Sequence, residues 1–333
     1  MGWKTLGVAA AVVVATVATA TPALAGTPHW EVSALPLPPG VSPGYLEASD
    51  GHGGYAGMMF TPDRFTLVTW KDGRPTDHGM PPGADFGQVV GESNSGTVLI
   101  IADAGDGAAK LFTLDGSGYH QVVTGRYTDI RRAAMGPRGD IAVQAVDPLG
   151  QQSSTVVLYW SPLGQAGLRP LAGAPANSTP AAIDYDGTVL VNKDDTTPYV
   201  VRNGVARPLS APGHTYVWAT TIRHGVVVGG AESQALMWTG PDYVATPLDH
   251  GMSTWDVNAS GLIVGEEYEP SVQNGPAAVW QGTTFLTELP LLPGTTKARA
   301  RFVDDDGTIA GWSSEGSVGD GGQPVVWRLV SSA

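Results

Sequence analysis

The sequence that decides the fold is Ala181-Ala-Ile-Asp-Tyr-Asp-Gly187-Thr-Val-Leu-Val191, in which a turn ending in glycine separates two short apolar runs. Tight turns between twisted strands need positive φ, which Gly adopts without steric cost and which Asp and Asn tolerate. The pattern therefore predicts a β-hairpin. It occurs seven times, with turn glycines at Gly54, Gly96, Gly139, Gly187, Gly225, Gly261 and Gly307.

A second hairpin signal alternates with the first along the chain. In it, an apolar strand with an aromatic residue near its end runs into another glycine turn, as in Val68-Thr-Trp70-Lys-Asp-Gly73 and Leu236-Met-Trp238-Thr-Gly240. Two hairpins per period give four strands per repeat, and no helical 3.6-residue pattern follows residue 25. Four short antiparallel strands repeated seven times are typical of a β-propeller.

The two ends of the chain distinguish a closed ring from the alternative, an open solenoid. Residues 325–329 resemble a third strand without its hairpin partner, and residues 30–37 resemble a fourth strand without its predecessor. Pairing the two would complete a seventh blade and remove an exposed edge. Unequal repeat lengths also favour the ring, because a stacked solenoid tolerates them poorly.

We therefore predict an all-β fold, a seven-bladed β-propeller of four-stranded antiparallel blades whose last blade is closed by the N- and C-terminal strands. Residues 26–333 form the single propeller domain. The predicted blades span about residues 43–79, 83–123, 127–172, 178–209, 214–248, 251–289, and 296–331 completed by 29–37.

Residues 1–25 have the three regions of a secretory signal peptide. Lys4 supplies a positive charge, an apolar run follows from Leu6 to about Ala20, and Ala23-Leu24-Ala25 has the small-x-small pattern that signal peptidase accepts. A transmembrane anchor is the alternative, but the run is short for a bilayer. We expect a secreted, extracellular protein with no membrane partner after cleavage.

Composition excludes several classes of site and partner. The chain has no cysteine, which rules out disulfides, zinc-thiolate sites and cysteine nucleophiles, so core burial and backbone pairing alone must hold the fold. The formal net charge of −13 repels phosphate backbones and anionic lipid. We therefore expect no nucleic-acid partner, and we expect a monomer.

The sixth repeat, Asp256-Val-Asn-Ala-Ser-Gly-Leu-Ile-Val-Gly265 followed by Ala277-Ala-Val-Trp280, resembles the HAF repeat of extracellular bacterial proteins. Those repeats read roughly as Ile-Asn, a short turn, Gly-x-Ile-Val-Gly and then Ala-x-x-Trp. The seventh repeat has Asp in place of the Asn, the second fits in part, and the others keep only the turn glycine and the strand pattern. The resemblance implies an all-β extracellular repeat protein and brings no known catalytic residues.

A binding site is expected on the face that carries the longer loops. Strands of a blade alternate in direction, so the tight hairpins lie on one face. The loops joining strand two to strand three, and each blade to the next, lie on the other. Aromatic rings beside arginine and carboxylate would suit a saccharide or a peptide there, although wedging between blades is the alternative for each aromatic residue. The predicted ligand-binding residues are Arg126, Tyr127, His214, Tyr216, Trp218, Trp255, Glu266 and Arg299.

Enzyme signatures are mostly missing. Neither Gly-x-Ser-x-Gly nor His-Glu-x-x-His occurs after residue 25, and the histidines have no metal-site spacing. Asp184-Tyr-Asp-Gly187 and Asp304-Asp-Asp-Gly307 resemble calcium loops or sialidase Asp-boxes only superficially, because Asp-Gly at a hairpin is ordinary turn chemistry. We therefore expect no catalytic residue, metal or cofactor.

The sequence thus favours a non-catalytic binding or scaffold protein for an extracellular carbohydrate, peptide or protein. The alternative is a secreted carbohydrate-active or hydrolytic propeller with its site at the channel mouth. Two carboxylates in one pocket, or a His-Tyr-Arg cluster, would favour that enzyme.

Overall fold

The computed structural model describes residues 28–103, 108–150, 155–164, 167–269, 275–316 and 321–331. The predicted signal segment, residues 1–25, lies outside the described residues. The described part of the chain contains only strands and turns, arranged as seven four-stranded antiparallel sheets. None of its segments is a helix that could cross a membrane. The predicted seven-bladed all-β propeller is confirmed.

Each blade is one sheet. Blade 1 contains β2 (Ser42–Ser49), β3 (Tyr55–Phe60), β4 (Phe65–Lys71) and β5 (Arg74–Gly79). Blade 2 contains β6 (Phe86–Glu92), β7 (Val98–Asp103), β8 (Ala109–Asp115) and β9 (Gly118–Val122). Blade 3 contains β10 (Thr128–Met135), β11 (Ile141–Val146), β12 (Thr155–Trp160) and β13 (Arg169–Pro170). Blade 4 contains β14 (Ser178–Ile183), β15 (Val189–Lys193), β16 (Thr197–Arg202) and β17 (Val205–Pro208).

The remaining three blades follow the same order. Blade 5 contains β18 (Val217–Arg223), β19 (Val226–Ala231), β20 (Gln234–Thr239) and β21 (Val244–Pro247). Blade 6 contains β22 (Gly251–Val257), β23 (Leu262–Glu267), β24 (Ala277–Gln281) and β25 (Thr284–Glu288). Blade 7 contains β26 (Lys297–Val303), β27 (Ile309–Ser314), β28 (Gln323–Val330) and the N-terminal β1 (His29–Ala34).

The first strand of each blade lines a central channel, and the chain then moves outward strand by strand. First and third strands run towards one face, which carries the hairpins between strands one and two and between strands three and four. We call it the hairpin face. The opposite face carries the loops between strands two and three and the connections between blades, and we call it the long-loop face.

The ring is closed by backbone pairing between the two ends of the chain. β1 pairs with β28 in antiparallel register from His29 opposite Val330 to Ala34 opposite Val325. Beyond the last pair, the Leu35 N–H donates to the Pro324 carbonyl at 2.8 Å, and the Gln323 side chain donates to the Leu35 carbonyl at 2.8 Å. The predicted closure of the seventh blade by the two terminal strands is confirmed.

In blades 1, 5, 6 and 7, a tryptophan near the end of the third strand connects the blade to the segment that leads into it. These rings are almost completely buried, and their size makes them dominant contributors to the core. Each indole N–H also donates to a carbonyl of the preceding connection, so that the large ring is buried without leaving its donor unpaired. The four pairs are Trp70 with Pro36 (2.7 Å), Trp238 with Ser210 (2.9 Å), Trp280 with Asp249 (2.7 Å) and Trp327 with Pro290 (2.8 Å).

The acidic residues of the repeat do more than form turns. Asp184 accepts hydrogen bonds from the backbone N–H groups of His224 (2.8 Å) and Gly225 (2.7 Å) in the next blade. In blade 6, Asp256 accepts from the Val303 N–H at 3.0 Å. Charge-assisted bonds to buried backbone donors are stronger than neutral ones. The sequence interpretation of Asp184 as plain turn chemistry is therefore incomplete, because its carboxylate also joins neighbouring blades.

We predict that deleting residues 325–333 abolishes the cooperative unfolding transition of the whole ring. The deletion removes the strand that pairs with both β1 and β27, and each buried backbone group left unpaired costs about 1–3 kcal/mol. A domain has a net stability of only about 5–15 kcal/mol. Urea melts followed by circular dichroism measure the effect, with deletion of residues 331–333 as the control that leaves β28 whole. An intact transition in the longer deletion would contradict a ring closed in this way.

Candidate functional site

The central channel contains a cavity of about 200 Å³ lined by the first strands of the blades. In six of the seven blades the first strand has a one-residue bulge, where the pairing with the second strand skips one position. Bulges bend a strand and re-aim its side chains, and they are common beside binding sites. The six skipped residues all line the cavity; they are Glu47, Val90, Ala181, Thr220, Trp255 and Arg301. Blade 3 is the exception, because its register shifts earlier, between Thr128 and Arg132.

The bulge residues give the cavity two unlike walls. Blades 6, 7 and 1 contribute Trp255, Arg301 and Glu47, whereas blades 4 and 5 contribute Ala181 and Thr220. Asp256 and Arg223 also line the cavity, and blade 3 adds Ala134, Met135 and Pro137. The bulge positions of blades 6, 7 and 1 can therefore form ionic and polar hydrogen bonds, whereas those of blades 4 and 5 offer small side chains. Arg223 adds a positive charge from blade 5.

Trp255 lies beside two arginines of blade 7. The guanidinium carbon of Arg301 is 4.5 Å from the centre of the indole ring, and that of Arg299 is 5.2 Å from it. Arg299 donates through Nε to Glu266 at 2.9 Å, and the carboxylate side of this pair is almost completely buried. The pair joins blade 6 to blade 7 and fixes the Arg299 guanidinium against the ring, which is a favourable cation–π arrangement.

The positive charge of Arg301 in the channel is only partly offset by nearby carboxylates. Its Nε atom is buried and has no hydrogen-bond partner among the described residues, and the same holds for the indole Nε1 of Trp255. Burial and the nearby Arg299 guanidinium lower the pKa of Arg301 to about 10, against the opposing effect of Glu47 and Asp256. Glu47 accepts a backbone hydrogen bond from Val89, and Asp256 accepts one from Val303. These bonds occupy part of each carboxylate's ability to accept hydrogen bonds from Arg301.

Several carboxyl groups near the channel hold their protons more tightly than usual, and they include Asp256, whose pKa is raised by burial. Burial raises the pKa of Glu47 to about 7, although the Val89 N–H and Arg301 oppose the shift. Burial, together with the charges of Asp50 and Asp304, raises the pKa of Glu92 to about 8. Burial also raises the pKa of Asp304 to about 6, while hydrogen bonds from Tyr55 and Ser49 oppose it. Near neutral pH the channel is therefore less negative than its residue types imply.

Tyr185 joins four blades at the hairpin end of the channel. Its hydroxyl lies 3.2 Å from Asn94 Nδ2, 3.4 Å from Arg223 Nη1 and 3.4 Å from Asp305 Oδ2. The Tyr185 ring is also stacked on the imidazole of His224, with the ring centres 4.6 Å apart. Histidine, tyrosine and arginine side chains therefore meet at this end, which is one of the two arrangements that would favour the enzyme alternative.

A continuous series of rings extends from the channel to the outer surface of the long-loop face. We call these residues the aromatic band. Going outward, the distances are 5.8 Å from Arg299 to the Trp312 ring, 6.3 Å from Trp312 to Tyr45 and 6.2 Å from Tyr45 to Phe60. The series continues with 5.1 Å from Phe60 to Phe65 and 5.1 Å from Phe65 to Phe86, whose side chain is 53% exposed. The aromatic band comprises Trp255, Arg299, Trp312, Tyr45, Phe60, Phe65 and Phe86.

The structure brings together three of the eight residues predicted to bind ligand. Trp255, Glu266 and Arg299 meet at the wall between blades 6 and 7, where the aromatic band begins. Trp218 lies apart from them and covers a glycine of its own blade, since a Cβ added to Gly230 would stand 2.7 Å from its ring. That glycine is the cross-strand partner of Trp218, so this indole has a packing role. Whether any of these residues contacts a ligand stays a prediction.

The other predicted residues form two separate groups at the rim. Arg126 makes an exposed ion pair with Asp147 at 3.0 Å, and its guanidinium is 4.9 Å from the Tyr127 ring. On blade 5, the Glu232 carboxylate holds the loop that contains His214 and Tyr216. It accepts hydrogen bonds from the imidazole at 2.7 Å and from the Tyr216 N–H at 3.1 Å. Hydrogen bonds from Thr215, Tyr216 and His214 lower the pKa of Glu232 to about 2.

Several residues of the site are missing from the prediction based on sequence. Glu47 and Arg301 escape it because a strand bulge cannot be seen in an alternating pattern. A signal for it exists, since the bulge residue stands six positions before the turn glycine in blades 2, 4, 6 and 7, as Arg301 does before Gly307. Phe60 and Phe65 could have been found from their positions on either side of a loop between second and third strands.

A larger groove lies at the outside of the ring. It has a volume of about 1050 Å³ and is lined by β1, β25 and the hairpin of blade 7, including Arg328, Glu288 and Asp306. None of the buried unpartnered side-chain atoms of the described residues belongs to a residue lining it. We therefore place the candidate site in the channel and on the aromatic band.

Comparison with known proteins shows the fold and no more. No protein-family model matches the chain, and no curated protein matches it in sequence. A structure of a catalytically inactive variant of virginiamycin B lyase from Staphylococcus aureus with quinupristin is similar, with a TM-score of 0.58 and 14% identity over 91% of this chain and 100% of the other. YCF48 bound to D1 peptide has a TM-score of 0.54 and 10% identity, over 91% and 96%.

A third similar structure is the β-propeller domain of the Trilobed protease from Pyrococcus furiosus, described as having an open velcro topology. Its TM-score is 0.55 with 11% identity, over 88% of this chain and 95% of the other. The present ring differs from that description, because β1 and β28 close it by strand pairing. At these identities the likeness concerns the fold alone.

We predict that Glu92→Gln removes a pH-dependent loss of stability. In the folded chain the pKa of Glu92 is about 8, against an ordinary value of 4.5. Between these values the folded state keeps a proton that the unfolded state has lost, so stability falls as pH rises, by at most about 1.4 kcal/mol per pH unit. Urea melts from pH 5 to pH 8 should show a shallower decline in the variant than in the parent. The exposed Glu315→Gln is the control, and parallel curves for Glu92→Gln and the parent would refute the prediction.

Proposed function

We propose that this chain is a secreted, non-catalytic binding propeller that recognises an extracellular peptide or protein segment on its long-loop face. The observation that supports the proposal is the aromatic band, which joins the channel wall to an exposed ring through four blades. Aromatic and arginine side chains are the residue types that dominate binding energy in protein interfaces. The band combines both types in one connected series of contacts, which is buried at Trp312 and exposed at Phe86.

Other exposed apolar side chains lie on the same face as the outer end of the band. Phe86, Tyr216 and Tyr268 are between 49% and 62% exposed, and strand direction places all three on the long-loop face. Val123, Leu149 and Leu291 are exposed on the same face. Apolar contacts distributed around a rim suit a peptide or a protein surface better than a single saccharide ring, and a peptide is the ligand named for the similar structure YCF48.

Secretion and the repeat family are part of the same proposal. The signal-peptide pattern of residues 1–25 and the likeness of the sixth repeat to HAF repeats both support an extracellular location. The chain has no cysteine and a formal net charge of −13, which suits a protein that neither forms disulfides nor adheres to phosphate or anionic lipid.

The hairpin end of the channel supports a second candidate function, a lyase or hydrolase. His224 is stacked on Tyr185, and Arg223 lies 5.5 Å from the same ring, so acid–base and cationic groups share one mouth of the channel. One similar structure is of a lyase. The Tyr185 hydroxyl, however, already has three partners in other blades, which suits a structural bridge better than an acid or base. Turnover of chromogenic glycosides or esters that is lost in Tyr185→Phe would establish the enzyme.

We predict that Phe86→Ala weakens peptide capture at least tenfold. A phage-displayed random peptide library is selected on residues 26–333, and the enriched peptides are then titrated against the variants. Removing the exposed ring deletes the outer end of the band and one aromatic pair worth about 0.5–1.5 kcal/mol. Truncating an interface hot spot, in contrast, lowers the binding free energy by about 2 kcal/mol or more. A loss of that size would therefore indicate lost contacts with the peptide and not only lost packing within the protein.

Leu163→Ala is the matched control, because that side chain is 75% exposed in a turn of the hairpin face. Melting temperatures of both variants verify that each is folded. Enriched peptides that bind the Phe86 variant as tightly as the parent would contradict the proposal, and so would a library that yields no enriched peptide.

A further inference from the structure

Buried polar atoms without partners are concentrated in the channel cavity. Four such side-chain atoms are found among the described residues, and three of them belong to residues that line this cavity of about 200 Å³. These are Oε2 of Glu92, Nε1 of Trp255 and Nε of Arg301. An unmade hydrogen bond in a buried group costs about 1–3 kcal/mol, so such a concentration requires a physical explanation. A ligand that supplies the missing partners would provide one.

The unpartnered atoms differ in what they require. Arg301 Nε and Trp255 Nε1 are donors on blades 7 and 6, and the Arg301 guanidinium carbon lies 4.5 Å from the centre of the indole ring. They need an acceptor, and a guanidinium is best matched by a carboxylate. Arg299 adds positive charge near this point and is itself held by Glu266. The wall formed by blades 6 and 7 is therefore suited to an anionic group.

Glu92, on blade 2, has an unpartnered acceptor and therefore needs a donor. Its side chain is almost completely buried, at 8% exposure, and the carboxylates acting on it are those of Asp50 and Asp304. Lys71 is the cation that acts on it in return, and Lys71 is exposed. A carboxyl group surrounded by other carboxylates favours a cation over a neutral donor. This part of the channel is therefore suited to an ammonium group.

We propose that the channel binds a small amino-carboxylate, with its carboxylate on Arg301 and Trp255 and its ammonium on Glu92. The site shares Trp255 with the aromatic band, whereas Arg301 and Glu92 lie outside the band, and the proposal does not depend on the long-loop face having a ligand. Blade 1 separates the blades of Arg301 and Glu92, so we expect several carbons between the two charged groups of the ligand.

The size and walls of the cavity agree with such a ligand. A volume of about 200 Å³ is below the roughly 300–1,000 Å³ of pockets for drug-sized molecules, and it equals the share of about seven waters in the liquid. The small side chains of Ala181 and Thr220 on the opposite wall leave room for a short aliphatic chain. Ordered water is the competing occupant, and it would show no preference for a charge of either sign.

The proposal implies that ligand binding at neutral pH releases a proton. Burial and the charges of Asp50 and Asp304 raise the pKa of Glu92 to about 8, with Lys71 acting in the opposite direction. The free site therefore holds a proton at pH 7. An ammonium beside Glu92 favours the carboxylate and expels that proton, whereas a ligand with only a carboxylate does not reach this group.

The experiment titrates the mature chain with glycine, β-alanine, γ-aminobutyrate, δ-aminovalerate and ε-aminocaproate. Butyrate and butylamine serve as the single-charge controls. Calorimetry in buffers of different ionisation enthalpy gives both affinity and proton release, and thermal melts give an independent measure of binding. We expect one chain length to bind at least tenfold more tightly than either control, with a proton released at pH 7.

Two conservative variants test the assigned contacts. Glu92→Gln should abolish proton release and lower the affinity for the amino-carboxylate at least tenfold, while leaving the weak affinity for butyrate unchanged. Trp255→Phe keeps a ring but removes the N–H, and it should weaken both butyrate and the amino-carboxylate. Glu315→Gln is the control for a change of charge at a distant exposed position. If no amino-carboxylate binds more tightly than its single-charge controls, the channel holds only water and the proposal is wrong.

Discussion

Every feature of the candidate site depends on the pairing between β1 and β28. The chain has no cysteine, so no covalent link holds its ends together, and the pairs from His29–Val330 to Ala34–Val325 complete the last sheet. Seven inner strands surround one channel only when this sheet is complete. An open ring would leave strand edges exposed and would separate blade 7 from blade 1.

The join between blades 7 and 1 is also where the site is richest. Trp312 of blade 7 contacts Tyr45 of blade 1 within the aromatic band, and Asp304 of blade 7 accepts hydrogen bonds from Ser49 and Tyr55 of blade 1. Buried polar contacts of this kind are expensive to break because each leaves an unpaired partner behind. The proposed recognition and the closure of the ring therefore use the same part of the molecule, and a ligand that bridges it would also stabilise the ring.

The inner-strand bulge gives the repeat a way to vary its chemistry without changing its architecture. The bulge residue has no backbone partner across the strand pair, so its side chain is free of the strict alternation between the two faces of a sheet. Alanine, valine and threonine at this position give an apolar wall, whereas Glu47, Trp255 and Arg301 give a charged one. The core around the charged bulge residues and the core around the apolar ones are packed in the same way, as buried Trp280 and Trp327 illustrate. Similar folds at 10–14% identity thus leave function to be argued from these positions.

The sequence by itself determined the hairpins, their number and the closure of the ring, because turn glycines and alternating apolar residues act over a few positions. It also singled out Trp255, Glu266 and Arg299 as candidates, from their residue types. Only the tertiary structure decided that these three meet, that Glu47 and Arg301 share their cavity, and that Phe65 continues the band to Phe86. The physical reason is that a bulge re-aims a side chain by one position, and ring closure then joins residues that are hundreds of positions apart. Ring closure leaves no periodic signal in the sequence, and the bulge leaves only its spacing of six positions before the turn glycine in blades 2, 4, 6 and 7.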